Sequence, residues 1–190
     1  MNKPHSGHFG NLSPEMALLG QLYAGPGHGY DLHRKVVRTL GEIWHLSQSQ
    51  TYTIIKRLER QGDISIQELP QEKLPPRQLL TLTPVGQERF LRWLVTPNRG
   101  SIRSIRMEFI TRVFFLGQYF PEQLPSAFAM QRTETKRNIS RLETLHDELP
   151  EDQIYNRMSL DLRLRQLKTA FEWLDFYQVI VLNKFTKEEN

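Results

Sequence analysis

Polar hydrogen-bonding side chains followed by cations mark one short stretch of the chain. Residues 48–53 supply amide and hydroxyl groups, and Lys56 and Arg57 supply positive charge within the next turn. Amides and hydroxyls can read the edges of base pairs, and cations can neutralise phosphates. This layout is typical of a helix that lies in the major groove of DNA. A solvated helix face can have the same composition, so the neighbouring elements must decide between the two interpretations.

The same stretch carries the signals of a helix near residues 48–60. Ser47 and Gln50 have the spacing of a capping box, and Gly62 stands where a helix end often needs a left-handed residue. Apolar side chains at helical spacing predict that Tyr52, Ile55 and Leu58 face inward. The side chains then predicted to face outward are Ser49, Gln50, Thr53, Lys56, Arg57 and Arg60.

Composition limits the class of protein. The 190 residues are 38% hydrophobic, which allows one large or two small domains. The net charge of +4, with its excess in the first half, permits contact with a polyanion. The absence of cysteine excludes disulfides, thiolate nucleophiles and Cys-ligated zinc. Without a membrane-length apolar run or a signal-peptide core, the predicted location is the cytoplasm.

Two helices are predicted before the polar stretch. Residues 1–12 read as a flexible tail, and Ser13-Pro14-Glu15 reads as N-cap, first-turn proline and first-turn acid. A tight turn at residues 25–30 then leads into a second helix that ends near Leu40. His5 and His8 lack a third ligand, so no metal site is expected. We interpret His28 as a hydrogen-bonded turn residue and His33 as a surface residue.

A period of two after Gly62 predicts a hairpin. Strands are expected at residues 64–69 and 79–82, joined by a polar, proline-rich loop that carries Lys73 and Arg77. A basic hairpin tip beside a recognition helix can hold phosphates or enter the minor groove, although a solvated loop has the same composition. Thr83-Pro84 begins a fourth helix. The fold class is mainly α, with a winged helix-turn-helix of three helices and a two-stranded β-wing at residues 13–97.

Motifs across residues 16–95 resemble the PadR-like transcriptional regulators. They are Ala17-Leu18-Leu19-Gly20, the run Gly25 to Leu32, Trp44-His45-Leu46-Ser47, Tyr52, Leu58-Glu59, Gly62, Pro75-Pro76-Arg77 and Leu82-Thr83-Pro84-Val85-Gly86. The resemblance implies a homodimer that acts on a palindromic operator. The chain departs from the family at Ser49, where glycine is usual, and at Leu80, where an aromatic is usual. Leu74 replaces a frequent cation, which weakens the case for a strongly basic wing.

The second half of the chain is predicted to be an all-helical dimerisation domain at residues 101–187. The longer PadR-like proteins, with a virulence-activator-type C-terminus, are similar in this respect. Residues 131–141 are polar on most sides, so this part of the helix is expected to project partly into solvent. The last helix, near 152–186, carries a long apolar seam that favours a partner subunit, although the chain's own core must take part of it. The predicted dimerisation residues are Leu160, Leu164, Leu167, Phe171, Leu174 and Val181.

The function predicted from these observations is a sequence-specific, homodimeric DNA-binding regulator that acts as a repressor. The candidate DNA contacts are Gln48, Ser49, Gln50, Tyr52, Thr53, Lys56, Arg57, Lys73 and Arg77. Trp44, Trp93 and Trp173 are the candidate lining of an effector pocket, although aromatics at helical spacing are more often plain core. The sequence has no catalytic or cofactor motif, so neither an enzyme nor a cofactor is expected. The alternative is a winged helix that binds protein instead of DNA.

Overall fold

The computed structural model describes residues 14–70 and 77–186 and divides the chain into two compact units, Met1–Gln87 and Glu88–Asn190. We call them the N-terminal unit and the helical unit. The predicted tail at 1–12, the predicted N-cap Ser13 and the wing residue Lys73 lie outside the described residues. The division falls inside a helix, whereas the sequence favoured a boundary after residue 97, and the limits 13–97 and 101–187 remain a proposal.

The N-terminal unit has the three helices and the hairpin that the sequence predicts. Helices α1 (Glu15–Tyr23), α2 (Gly29–Leu40) and α3 (Gln48–Arg60) precede strands β2 (Ile64–Leu69) and β3 (Arg77–Leu82). The two strands pair antiparallel in register from Ile64 opposite Leu82 to Leu69 opposite Arg77. This arrangement is a winged helix-turn-helix.

One strand is not predicted by the sequence pattern. Gly27–His28, predicted as part of a tight turn, forms a short strand β1 that pairs with β3, so the sheet has three strands in the order β1-β3-β2. His28 does make a hydrogen bond, since its Nδ1 lies 2.8 Å from the carbonyl oxygen of Gln78. Two residues are too short for a visible alternation pattern, so only the contact with β3 identifies the strand.

Local chemistry fixes both ends of α3. The Ser47 hydroxyl accepts from the Gln50 backbone N–H at 3.2 Å, while the Ser47 N–H donates to Gln50 Oε1 at 2.9 Å, which completes the predicted capping box. At the other end Gly62 has φ of +76°, and the N–H groups of Gly62 and Asp63 bond back to Glu59 and Leu58. This is a Schellman ending, in which glycine takes the left-handed position without steric cost.

The inward face of α3 is shifted from the predicted one. Ile55 and Leu58 are buried as expected, but Thr51 and Ile54 are buried with them and Tyr52 is only half-buried. Thr51 is tolerated in the core because its hydroxyl donates to the Ser47 carbonyl at 3.1 Å. Hydrophobicity alone predicted the inward face, and it does not identify a polar side chain that satisfies itself locally.

The helical unit continues from α4 (Pro84–Val95), which spans the division between the units. A 3-residue α5 (Ile102–Ser104) runs through a π-helical turn (Ile105–Phe109) into α6 (Ile110–Tyr119). A 3-10 turn (Pro121–Gln123) then precedes α7 (Leu124–Asp147) and α8 (Ile154–Thr186). None of the helices in the described ranges has the length and the hydropathy that crossing a bilayer requires.

The middle of α7 projects only partly into solvent, as the sequence predicts, because one side of it is buried. Gln131 and Thr135 are 1% and 0% exposed, and the Thr135 hydroxyl donates to the Gln131 carbonyl at 2.8 Å. The backbone of Gly100 lies against this turn, so closely that a Cβ there would overlap the Glu134 carbonyl. This polar turn is therefore covered by the backbone of Gly100, which can approach so closely because glycine has no side chain.

The predicted seam of α8 belongs largely to the chain's own core. Leu160, Leu164 and Leu167 pack with Leu142 of α7, and Leu174 is fully buried. Phe171 and Val181 are half-buried. The prediction that these four leucine side chains of α8 meet a partner subunit is corrected, because a side chain inside one chain's core has no surface left for another.

Candidate nucleic-acid interface

The outward row of α3 presents polar side chains to solvent. Ser49, Gln50, Thr53, Lys56 and Arg60 are exposed, as the helical period predicts. Lys56 has no ion pair or side-chain hydrogen bond to another described residue, so its ammonium group is available to a ligand. The helix therefore offers a hydrogen-bonding first half and a cationic second half on one solvent-facing surface.

The two glutamines at the start of α3 are not equivalent. Gln50 accepts the Ser47 N–H with its Oε1 atom in the capping box, so its amide is held against the helix start and has one fewer acceptor site for an outside partner. Gln48 is exposed and makes no side-chain hydrogen bond to a described residue. A bidentate contact to adenine needs the donor and the acceptor of one amide to face the base together, so Gln48, whose amide is not held in the cap, is the better placed of the two.

The hydroxyl groups of this row are partly committed to the helix itself. Thr53 donates to the Ser49 carbonyl at 3.0 Å, and the hydroxyls of Ser49 and Ser47 lie 3.1 Å apart. Each hydroxyl oxygen still has acceptor capacity. Ser49 and Thr53 can therefore accept hydrogen bonds from base edges without leaving their positions.

Tyr52 is held at the edge of the row. Its ring lies against Gly29, where an added Cβ would come within 2.8 Å of a ring carbon. This close approach is possible because glycine has no side chain, and it places the half-buried ring next to the start of α2. The candidate contact at Tyr52 is therefore a packed ring and not a freely moving one.

Arg57 forms an ion pair with a residue that no sequence pattern connects to it. Its Nε atom lies 2.5 Å from Glu15 Oε1, a carboxylate at the start of α1 that is almost buried. The arginine side chain remains 41% exposed. The prediction of Arg57 as a purely outward cation is corrected: the guanidinium first compensates a buried carboxylate.

His33 also has a structural contact. It is half-buried, and its Nδ1 atom lies 2.9 Å from the Thr51 hydroxyl, which links α2 to α3 behind the polar row. The interpretation of His33 as a surface residue is corrected. A histidine and a threonine 18 residues apart carry no periodic signal, so the sequence could not pair them.

The described part of the wing offers one predicted contact. Arg77 is exposed at the first position of β3, opposite Leu69. It has no ion-pair partner among residues 14–70 and 77–186. The loop between these strands carries Lys73, which lies outside the described residues.

Each predicted effector-pocket tryptophan is engaged within its own unit. Trp44 is 6% exposed in the core of the N-terminal unit. Trp93 stacks on Phe90 with centroids 6.1 Å apart and lies under the buried Arg112 guanidinium. Burial lowers the pKa of Arg112 to about 10 and raises the pKa of Glu108 nearby. The Trp173 and Tyr177 rings have centroids 4.7 Å apart. These contacts describe packing, and the effector pocket remains a hypothesis.

A second apolar face of α8 is absent from the sequence-based predictions. Tyr155, Met158 and Leu162 near one end, and Phe176 and Val179 near the other, are each more than half exposed. At about 100° per residue these positions fall on one side of the helix, roughly opposite the buried leucines. The helical spacing of these exposed residues could have predicted the second face, but the leucines of the first face gave the more regular pattern.

Two family models match the chain. The model described as transcriptional regulator PadR-like family matches residues 18–92, and the model described as virulence activator alpha C-term matches residues 105–178. Together they cover most of the chain and correspond to the winged helix and to the C-terminal helices.

Similar proteins include a curated relative and solved structures. The negative transcriptional regulator PadR of Bacillus subtilis (strain 168) is 25% identical over 133 residues, which are 70% of this chain and 72% of that protein. A crystal structure of Bacillus subtilis PadR in complex with operator DNA is 23% identical, with 88% of this chain and 98% of that chain covered and a TM-score of 0.42. The structure of the Vibrio cholerae virulence activator AphA is 17% identical, with 93% and 99% covered and a TM-score of 0.38.

Proposed function

Because the chain belongs to the PadR-like family of transcriptional regulators, with a virulence-activator-type C-terminus, we propose that it binds an inverted-repeat operator as a homodimer. The observation that carries the proposal is the outward row of α3. It combines amide and hydroxyl groups that retain hydrogen-bonding capacity with an unpaired lysine on a helix whose two ends are fixed by local caps. Such a helix can enter a major groove without reorganising.

Within this row we assign different tasks to the side chains. Gln48, Ser49, Gln50 and Thr53 face the base edges, since they are uncharged and lie at the N-terminal end of α3. Lys56, with Arg77 and Lys73 of the wing, faces phosphates. Arg57 contributes less to DNA binding, because its guanidinium is ion-paired with Glu15. Tyr52 contributes through its fixed ring edge.

The partner on the exposed face of α8 is a second copy of the chain. A helix that is apolar on two opposite sides is stable in water only when both sides are covered, and the intrachain core covers just one. A two-fold dimer also supplies the second recognition helix that an inverted repeat needs. Phe171 and Val181 are half-buried on the leucine side of α8, and their contact with a partner subunit stays a prediction.

Repression is the favoured direction of regulation, in line with the name of the Bacillus subtilis relative. A protein with this function works in the cytoplasm, where the operator is. It needs no cofactor and is not an enzyme, since its proposed task is equilibrium binding. Control of that binding by a small-molecule effector remains part of the proposal.

Fluorescence anisotropy with an operator selected from genomic fragments by the purified protein tests the DNA assignment. We expect the affinity to fall steeply as salt rises, because phosphate contacts release counterions. Replacing Lys56 by alanine should weaken binding by about tenfold on all sequences and reduce the salt slope by about one. The matched control is Arg137→Ala, which removes an exposed helical arginine that is ion-paired with Glu134.

Two outcomes would contradict the assignment. Equal losses for Lys56→Ala and Arg137→Ala would mean that only net charge matters. The absence of any complex with duplex DNA at low ionic strength would instead favour the alternative, a winged helix that docks on protein through the polar face of α3.

A further inference from the structure

An open cleft of 370 Å³ in the helical unit gathers three arginines beside apolar side chains. Its walls come from α5 and the following π-helical turn, from α7 and from α8. The residues that matter here are Ile102, Arg103, Arg106, Arg163, Gln166 and Leu167. None of the tryptophans predicted to form an effector pocket lines this cleft.

The three arginines have no counter-charge within the described part of the chain. Arg103, Arg106 and Arg163 are exposed and form no ion pair with another described residue. The nearest carboxylates along the chain have other contacts: Asp161 accepts from Arg165 at 2.8 Å, and Glu108 accepts from the Ser104 hydroxyl. Three like charges around one concavity repel one another and create a positive potential there.

The chemistry of the lining selects a ligand with two parts. A guanidinium group holds a carboxylate or a phosphate through paired hydrogen bonds, and three of them can hold one oxyanion from several sides. Ile102 lines the cleft, is only half-buried and packs on the leucine cluster of α7 and α8, so the cleft also presents an apolar surface. The exposed Gln166 amide adds a neutral donor and acceptor.

We propose that this cleft binds a small organic anion. Arg103, Arg106 and Arg163 hold its carboxylate or phosphate group, and its apolar part rests against Ile102. The volume lies in the range of small-molecule sites, which is roughly 300–1,000 Å³. The proposal goes beyond DNA binding, since it concerns a different surface and needs no nucleic acid.

A nucleic-acid backbone is the competing partner for three exposed arginines. It would use the charges but would leave the apolar side chains of the cleft without a role. Concavity also favours a small ligand, because phosphates of a duplex are reached from an open surface. DNA contact is therefore kept as one outcome of the test.

Isothermal titration calorimetry of the full chain without DNA tests the site. The probes are naphthoate and naphthyl phosphate, which carry the two anionic groups on one apolar body, with neutral naphthamide and inorganic phosphate as partial ligands. We expect at least one naphthyl anion to bind at least tenfold more tightly than either partial ligand. Arg106→Gln and Arg163→Gln should each weaken that anion by about tenfold or more, as expected for losing a charged hydrogen bond.

Arg165→Gln is the matched control. It makes the same substitution on the same helix two residues from Arg163, at an arginine that is ion-paired with Asp161 and lies outside the cleft. Its affinity for the anion should equal that of the unsubstituted chain.

Several results would overturn the proposal. They are no saturable binding of either naphthyl anion, equal binding of naphthamide, equal binding of inorganic phosphate, and an equal loss in the control variant. Loss of DNA affinity in the Arg106 and Arg163 variants, with no effect on the probes, would assign these arginines to a nucleic-acid surface. Because the titration contains no DNA, its failure leaves the proposed DNA-binding function standing.

Discussion

Among single residues, Gln48 and Gln50 differ in what their side-chain amides can still offer. Both are exposed on the first turns of α3, yet only Gln50 is bound into the capping box. Composition alone made them equal candidates. The difference arises because one amide oxygen is already the acceptor for the Ser47 N–H.

This inequality predicts different results for two alanine variants. Gln48→Ala should remove a bidentate base contact and reduce the preference for the matched over a mismatched operator by about 1–3 kcal/mol. Gln50→Ala should relax base preference less and should also lower stability by removing half of the cap. Anisotropy on matched and mismatched duplexes, with thermal unfolding of both variants, separates the effects. The assignment fails if Gln48→Ala leaves the matched-to-mismatched ratio unchanged.

The left-handed residue at the end of α3 gives a stability prediction. Gly62→Ala should lower the free energy of unfolding by about 1 kcal/mol, because an L side chain is strained at φ of +76°. The midpoint of urea unfolding should fall while its slope is unchanged. Glu59→Ala, at an exposed position in the last turn of α3, is the control and should have little effect. Equal midpoints for the two variants would contradict the strain argument.

Among the elements, α8 has two apolar faces in different surroundings. One face packs on α7 inside the chain, and the other is exposed at both ends of the helix with a polar middle that includes Arg165 and Thr169. A leucine seam at 3–4 spacing could not reveal which face meets which partner, since both obey the same helical period.

Charge on the exposed face should therefore break the dimer without unfolding the chain. Met158→Glu and Phe176→Glu should each raise the dimer dissociation constant about a hundredfold or more, because an unpaired carboxylate would be buried at the interface. Asn156→Glu adds the same charge in the same turn but on the other side of α8, and should leave the dimer intact. Multi-angle light scattering across a dilution series measures the mass. Dimers of unchanged stability in both substituted proteins would reject this interface.

For the whole molecule, the two-fold symmetry of the dimer should be matched by two inverted half-sites in the operator. Two recognition helices related by a two-fold axis reach successive major grooves about 34 Å apart, which is one turn of B-DNA. Inserting about half a turn between the half-sites moves the second site to the opposite side of the duplex. Affinity should then fall to that of a single half-site, and unchanged anisotropy titrations on the spaced operator would argue against simultaneous engagement.

Local patterns in the sequence were enough to predict the parts of this fold that interact with their own neighbours. The ends of α3 and the start of α4 at Thr83 depend on residues within a few positions of one another, and β2 and β3 each follow a local alternation and are neighbours in the sequence. Period and capping chemistry are encoded at that range. The winged helix and the solvent-facing row of α3 therefore follow from the amino-acid sequence alone.

Tertiary structure decided every feature that joins residues far apart in the chain. Only packing shows that Arg57 compensates Glu15 and that Gly27–His28 extends the sheet. Packing also shows that leucines of α8 are buried against α7. It also gathers arginines from α5, the π-helical turn and α8 around one cleft. Such contacts have no sequence period, since burial and charge pairing depend on which surfaces meet after the helices have formed.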